Sequence, residues 1–365
     1  MRKTELIITG LLLVSLLISC GSNKKNKNNQ STTEQKVITK PFASRLEWTG
    51  TKIEDKNYTI WGCSPVLGDD GKVHVFLARW PEKNVDPAWR ESSEIAHYVA
   101  ETPEGEYLFS EVTVKGSDME GAWDRYAPHN PEIRKYGDTY VLLYIANSDF
   151  KQPPHPKNQA IGMLTSSSPY GPWKKTGRNG LILSSKLYPD SWISKSQNGM
   201  ANPTMMKVGD KYHIYFKVRI NNHSEFGVAI SDSIEGPYKV YDKPITDNKT
   251  SIEDASAFEM NGKYYLVTTD NHGKNTGIRG GGILWESIDG INYSLEKSSL
   301  AYELIPAYYK DYSLENVIKI YGSDPKFERP KILMIDSAPA YLYAPSGWNV
   351  EGKDRTVCHV LKIRK

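Results

Sequence analysis

The sequence predicts an all-β protein built as a five-bladed β-propeller, and three observations carry that expectation: a segment that recurs along the chain, turn glycines at a fixed place in each unit, and period-two alternation in the runs between them. Four segments share one grammar, a short run, a Gly-centred turn, then alternating aromatic and aliphatic residues. They are "SPVLGDDGKVHVFLARW" from Ser64, "NPEIRKYGDTYVLLYIAN" from Asn130, "NPTMMKVGDKYHIYFKV" from Asn202 and "DASAFEMNGKYYLVTTD" from Asp254. A weaker fifth, "RPKILMIDSAPAYLYAP", begins at Arg329. Each reads as two strands joined by a tight turn.

A second element follows in the first four units, marked by Gly105, Gly171, Gly236 and Gly290 and preceded by strands such as "SEIAHYVA" and "FGVAISDS". Every unit therefore reads as about four antiparallel strands, and a twisted four-stranded sheet buries both faces only between neighbours around a ring. The fifth unit is one strand short. Either "NYTIWG" at 57–62 or "RLEWTG" at 45–50 could complete it, and that closure would bring Cys63 towards Cys358.

The 365 residues, 39% hydrophobic and 24% charged, are enough for one large ordered domain. A net charge of +3 with cations scattered among acids gives no basic stripe, so nucleic acid is not an expected partner. At the start, "MRKTELIITGLLLVSLLISCGSN" reads as a secretory signal over residues 1–20, too short in its apolar part for a comfortable membrane span. Leu17-Ile18-Ser19-Cys20 resembles a bacterial lipobox, which would leave Cys20 lipid-modified and the protein anchored at a membrane, periplasmic or at the cell surface. Residues 21–41 are too polar to bury anything and read as a tether; the propeller is expected over 42–365. Cys63 and Cys358 are either a permitted disulfide or two buried thiols. No CxxC or HExxH occurs, and "GIRGGG" at 277–282 lacks the ending and context of a phosphate loop.

In a propeller the innermost strands line a central channel, so the residues at their starts converge. Aligned on the proline, that position holds Ser64, Asn130, Asn202, Asp254 and Arg329, preceded by Cys63, His129, Ala201, Glu253 and Glu328. Glu253, Asp254 and Glu328 are the expected catalytic acids. His129, Asn130, Asn202 and Arg329 are expected to bind substrate beside them. A second ring is expected at the ends of the second strands, with Arg79, Trp80, Asn147, Lys217, Asp270 and His272; Glu94 opens another strand of blade one and is expected to reach the same funnel. Arg79 and Lys217 could pair with a carboxylate or sulfate on a sugar.

With these residues in view, "NP…GDKYHIYFK…GVAISDSIEGPY", together with "HNPEI", "EDASAF" and "ERPKIL", resembles the five-bladed propeller glycoside hydrolases of families 43 and 117 over residues 57–365. The resemblance implies hydrolysis of a glycosidic bond from the end of an oligosaccharide by funnel carboxylates, and it allows a calcium ion in the channel. In family 43 the base is an Asp before the blade-one proline, where this chain has Ser64, so roles do not transfer position by position. The expected assignment is Asp254 as base and Glu328 or Glu253 as acid, with His129 as a substitute proton donor. Two other readings stand beside it: a phosphorylase using Arg79, Lys217, Arg329 and His129 to hold phosphate, and a non-catalytic carbohydrate-binding propeller.

Overall fold

The computed structural model describes residues 41–82, 88–149, 158–309, 325–346 and 356–365. A turn of 3₁₀ helix, Phe42–Arg45, leads into β1 (Leu46–Ile53). Blade one is β2 (Tyr58–Leu67), β3 (Val73–Pro81), β4 (Glu94–Ala100) and β5 (Leu108–Val114), with a short helix α1 (Ala88–Ser92) between β3 and β4. Blade two is β6 (Tyr126–Tyr136), β7 (Thr139–Asn147) and β8 (Ala160–Ser166), whose far edge is covered by two short strands, β9 (Lys174–Lys175) and β10 (Leu181–Leu183). Blade three is β11 (Ala201–Val208), β12 (Lys211–Ile220), β13 (His223–Ser231) and β14 (Lys239–Val240). Blade four is β15 (Ile252–Met260), β16 (Lys263–Asp270), β17 (Gly282–Ser287) and β18 (Ser299–Tyr302). Blade five is β19 (Lys331–Ile335), β20 (Ala338–Ser346) and β21 (Val357–Ile363), and its fourth strand is β1. The described residues thus form five antiparallel sheets, as the repeats predict, and "RLEWTG" closes the ring. "NYTIWG" belongs instead to the inner strand of blade one.

The turns explain why these hairpins form. Between β15 and β16, Asn261 and Gly262 both have positive φ, the backbone of the turn that matches strand twist. Asp336 and Ser337 adopt the same conformation between β19 and β20 without a glycine, which is why the fifth repeat is hard to see in sequence.

Between each pair of adjacent blades lies one apolar cluster. Trp61, Phe76, Tyr140 and Leu142 fill the gap between blades one and two, and Val75, Leu77, Tyr343 and Val360 fill that between five and one. Each fully buried apolar side chain contributes roughly 1.5–3 kcal/mol, so the interfaces between blades hold the ring together. Cys63 and Cys358 are free thiols inside the last of these clusters. Among the described residues no helix is long and apolar enough to cross a membrane. Cys20 and the signal segment lie outside the described residues.

Candidate active site

The inner strands of blades one to four carry a register shift at one place, and the residue there has a left-handed backbone, as has Arg329 two residues before β19. Asn130, Asn202, Asp254 and Arg329 have φ of 49°, 52°, 59° and 47°. In blade one this residue is Gly62, at φ 61°. Two positions further on, Ser64, Glu132, Thr204, Ser256 and Lys331 occupy one register, each paired with the second strand of its own blade, to Phe76, Leu143, Tyr215, Val267 and Tyr343.

This register corrects the proline-based alignment of blade one by two residues. The prolines at 131, 203 and 330 follow the left-handed residue directly, whereas Pro65 lies three positions beyond Gly62; the bulge, not the proline, sets the equivalence. Ser64 therefore belongs one layer deeper, and Cys63 is not the counterpart of His129. Trp61 is.

Three layers follow along the axis. The floor of the funnel is Gly62, Asn130, Asn202, Asp254 and Arg329. Beneath it Glu132 is fully buried, with Lys331 Nζ at 2.5 Å and Arg134 Nε at 2.7 Å. Burial raises the Glu132 carboxyl, but those two cations outweigh it and hold it below the ordinary range. Hydroxyls in this layer stitch successive blades: Ser64 Oγ accepts from Ile133 N–H at 3.0 Å, Thr204 Oγ1 from Ala257 N–H at 2.9 Å and Ser256 Oγ from Ile332 N–H at 3.0 Å.

Above the floor is a cavity of about 260 Å³, walled by Trp61, Trp89, Lys217, Arg219, Glu253 and Glu328. His129, Asn130, Asn202 and Arg329 also line it. The expected grouping of His129, Asn130, Asn202, Lys217, Glu253, Glu328 and Arg329 is thus brought together in space. The two glutamates differ. Lys217 Nζ lies 2.8 Å from Glu253 Oε1, and although burial pushes Glu253 up, Lys217 and Arg329 bring it down to about 2. Burial pushes Glu328 above the usual range; Lys326 at 2.6 Å opposes this, and the charges of Asp254 and Glu253 add to the rise.

Asp254 does not line the cavity. It is 2% exposed and ion-paired with Arg329 Nη1; Asn202 Nδ2 donates to its Oδ1 at 3.1 Å and the Arg329 backbone N–H to its Oδ2 at 3.2 Å. Both oxygens are spent on the floor, so the assignment of Asp254 as base does not fit the geometry. His129 is occupied as well. Its Nδ1 lies 2.9 Å from Ser93 Oγ, which itself donates to the Pro128 carbonyl, and Nε2 accepts from the Asn130 amide at 3.3 Å when the Asn130 oxygen faces Arg329. Burial, with Arg329 nearby, holds the imidazole well below its usual pKa, so it is neutral and has no spare proton to deliver.

The second ring is brought together only at Lys217. Lys217 pairs across the sheet with Ala201; the same register holds Thr269 opposite Glu253 and Ala78 opposite Trp61. Arg79 and Asp270 are one residue off and so face away. Arg79 Nε donates to Glu94 Oε1 at 2.9 Å, Nη1 to Tyr98 OH at 3.2 Å, and its guanidinium is sandwiched between the rings of Tyr58 and Phe109, each 4.2 Å away. Glu94 is thereby committed to Arg79 and faces a surface hollow rather than the funnel. Trp80 is fully buried between blades one and two, 5.4 Å from the His129 ring. Asp270 is fully buried and accepts the backbone N–H groups of Gly273, Asn275 and Thr276 at 3.0, 2.8 and 2.8 Å; it organises the loop that contains His272.

Sequence reasoning missed Trp61, Trp89 and Arg219. Arg219 is two residues beyond Lys217 on β12 and thus on the same face, a signal that period-two reading contains. Trp89 comes from α1, which no other blade repeats among the described residues.

No protein-family model matches the chain, and no curated protein matches it. Solved structures do. A family 117 glycoside hydrolase produced by the marine bacterium Zobellia galactanivorans superposes with a TM-score of 0.62 at 13% identity, covering 87% of this chain and 90% of that one. Another glycoside hydrolase gives 0.62 at 12% identity, covering 89% and 91%. A family 43 β-xylosidase/α-arabinofuranosidase from a compost microbial metagenome, in complex with xylotriose, gives 0.55 at 14%, covering 88% and 95%. The chain has the five-bladed β-propeller fold of the family 43 and family 117 glycoside hydrolases.

Proposed function

We propose that the protein is an exo-acting glycoside hydrolase that cleaves oligosaccharides of plant or algal polysaccharide, with Glu328 as general acid and Glu253 as base. One observation carries the reading: two carboxyls share one cavity with their pKa values pushed in opposite directions, Glu328 up and Glu253 down. That division is what glycosidic cleavage requires, one group that holds a proton and one that does not. Glu328 protonates the departing glycosidic oxygen as the C–O bond breaks, while Glu253 takes a proton from the water that adds to the anomeric carbon. Trp61 and Trp89 offer apolar faces to the sugar ring.

Exo action is supported by the floor. The funnel ends on Asn130, Asn202 and Arg329 and is filled beneath by Glu132, Lys331 and Arg134, so a chain end fits and a continuous chain does not. An anionic glycan is favoured because three cations, Lys217, Arg219 and Arg329, line the cavity against two carboxyls. The axis donors do not suit calcium: Glu132 already carries Lys331 and Arg134. The phosphate-holding alternative loses Arg79 to Glu94 and His129 to its neutral state. A lipid anchor on Cys20, with the propeller outside the cytoplasmic membrane, completes the proposal; a Cys20→Ser chain should leave the membrane fraction.

The test is incubation with a panel of neutral and anionic plant and algal oligosaccharides, with and without phosphate, followed by identification of released monosaccharides. New reducing ends that vanish in Glu328→Gln support the reading. A sugar phosphate, no product from any glycan, or full activity in both Glu328→Gln and Glu253→Gln overturns it.

A further inference from the structure

We infer that Arg219 receives an anionic substituent, a carboxylate or a sulfate ester, on the glycan that enters the funnel. The inference rests on reading the cavity as a sugar site. Its ground is a difference among the cations there. Lys217 lies 2.8 Å from Glu253, and Arg329 is ion-paired with Asp254. Arg219 lines the same cavity and has no acidic partner among the described residues.

Its position is nonetheless fixed. β12 places Arg219 on the face that carries Lys217, and it pairs across the sheet with Ser224. The backbone is held on the other, inner side as well: its N–H lies 3.4 Å from Ser196 Oγ and its carbonyl accepts Gln197 N–H at 2.7 Å. The cavity wall nearby in the chain is neutral and polar, from Asn198 and Ser224, with Gln159 alongside, whose N–H donates to the Asn198 carbonyl at 3.1 Å. A planar guanidinium with five donors in such a concavity matches two oxygens of one carboxylate or sulfate, which a lysine ammonium or an amide does not. Here the guanidinium is the cation of the cavity wall that no carboxylate among the described residues neutralises.

The test compares wild type, Arg219→Met and Arg219→Lys by calorimetric binding to three probes: an oligogalacturonide, its carboxyl-reduced neutral counterpart, and a sulfated galactan oligosaccharide. Wild type is expected to bind at least one anionic probe about tenfold or more tightly than the neutral one, a preference weakened by salt. Arg219→Met should lose that preference and keep neutral-probe affinity; Arg219→Lys should restore part of it. The uronide and sulfate arms identify which anion is read. Equal binding of anionic and neutral probes by wild type, no binding of either anion, or a preference that survives Arg219→Met overturns the inference. Arg219-dependent binding without cleavage would refute the hydrolase and leave this inference standing, and cleavage of neutral glycans indifferent to Arg219 would do the reverse.

Discussion

Lys217 Nζ stands 2.8 Å from Glu253 Oε1, an ion pair that joins blade three to blade four at the rim of the funnel and keeps one of its two glutamates ionised. The pair makes the pH profile predictable. Glu328 must hold a proton, and that form is lost as pH rises through its raised pKa. Glu253 must be ionised, and that form is lost only as pH falls toward about 2. Removing the ammonium in Lys217→Met should raise the Glu253 pKa and move the acidic limb of kcat/KM upward by about one pH unit or more. An acidic limb that does not move would exclude Glu253 as the base.

Asp254 is expected to behave as a structural residue. Asp254→Asn keeps the shape and tolerates the left-handed backbone, but leaves the Arg329 guanidinium without its counter-charge. We expect a loss of about 3 kcal/mol in unfolding free energy, measured by denaturant titration, because a buried charge loses its partner. Activity per folded molecule should persist; its abolition in a fully folded variant would restore Asp254 to the catalytic machinery.

The buried triad beneath the floor allows a double-mutant test. Glu132→Gln alone should destabilise by about 3–5 kcal/mol, since Lys331 and Arg134 then face each other uncompensated. Combining it with Lys331→Met should recover part of that loss, a coupling of order 1 kcal/mol or more. Additive losses would show that the ammonium and carboxylate do not depend on each other.

Gly62 has φ 61°, and a β-carbon there would stand 3.4 Å from Asn130 Cα and Oδ1. Gly62→Ala should therefore cost about 1–2 kcal/mol from backbone conformation alone. A thermal melt unchanged within a degree would contradict the register that makes Gly62 the blade-one member of the floor.

The two thiols should be inert while the ring is closed. Both are fully buried, and burial together with the neighbouring Cys63 pushes the Cys358 thiol well above its usual range. In a Cys20→Ser chain, alkylation by iodoacetamide at pH 8 should be undetectable in native conditions and reach two groups on unfolding. Rapid native labelling would mean that the seam between blades five and one opens.

The blades were legible because repetition reports a shared fold even where individual residues vary. Glu253 and Lys217 could be found that way, since their blades share both bulge and turn, and Glu328 and Arg329 through the proline that follows them, as in blades two and three. Blade one could not be aligned by the same rule, because its proline is displaced relative to the bulge and a left-handed glycine looks like any other glycine. The roles of Asp254, Arg79 and Asp270 were hidden for a different reason. Each carries the residue type that a site would use, and only partners distant in sequence or across the sheet reveal that its charge is already committed.

Arg45 Nε donates to the Arg364 carbonyl across 319 residues, beside the strand that β1 contributes to the final sheet. A ribosome must therefore finish almost the whole polypeptide before the last blade can acquire its fourth strand, and until then an unpaired β21 edge and the exposed side of blade one wait for each other. Cutting the loop between β1 and β2 and joining the present ends would make that blade contiguous in synthesis, and such a rearranged chain should fold faster without losing the funnel.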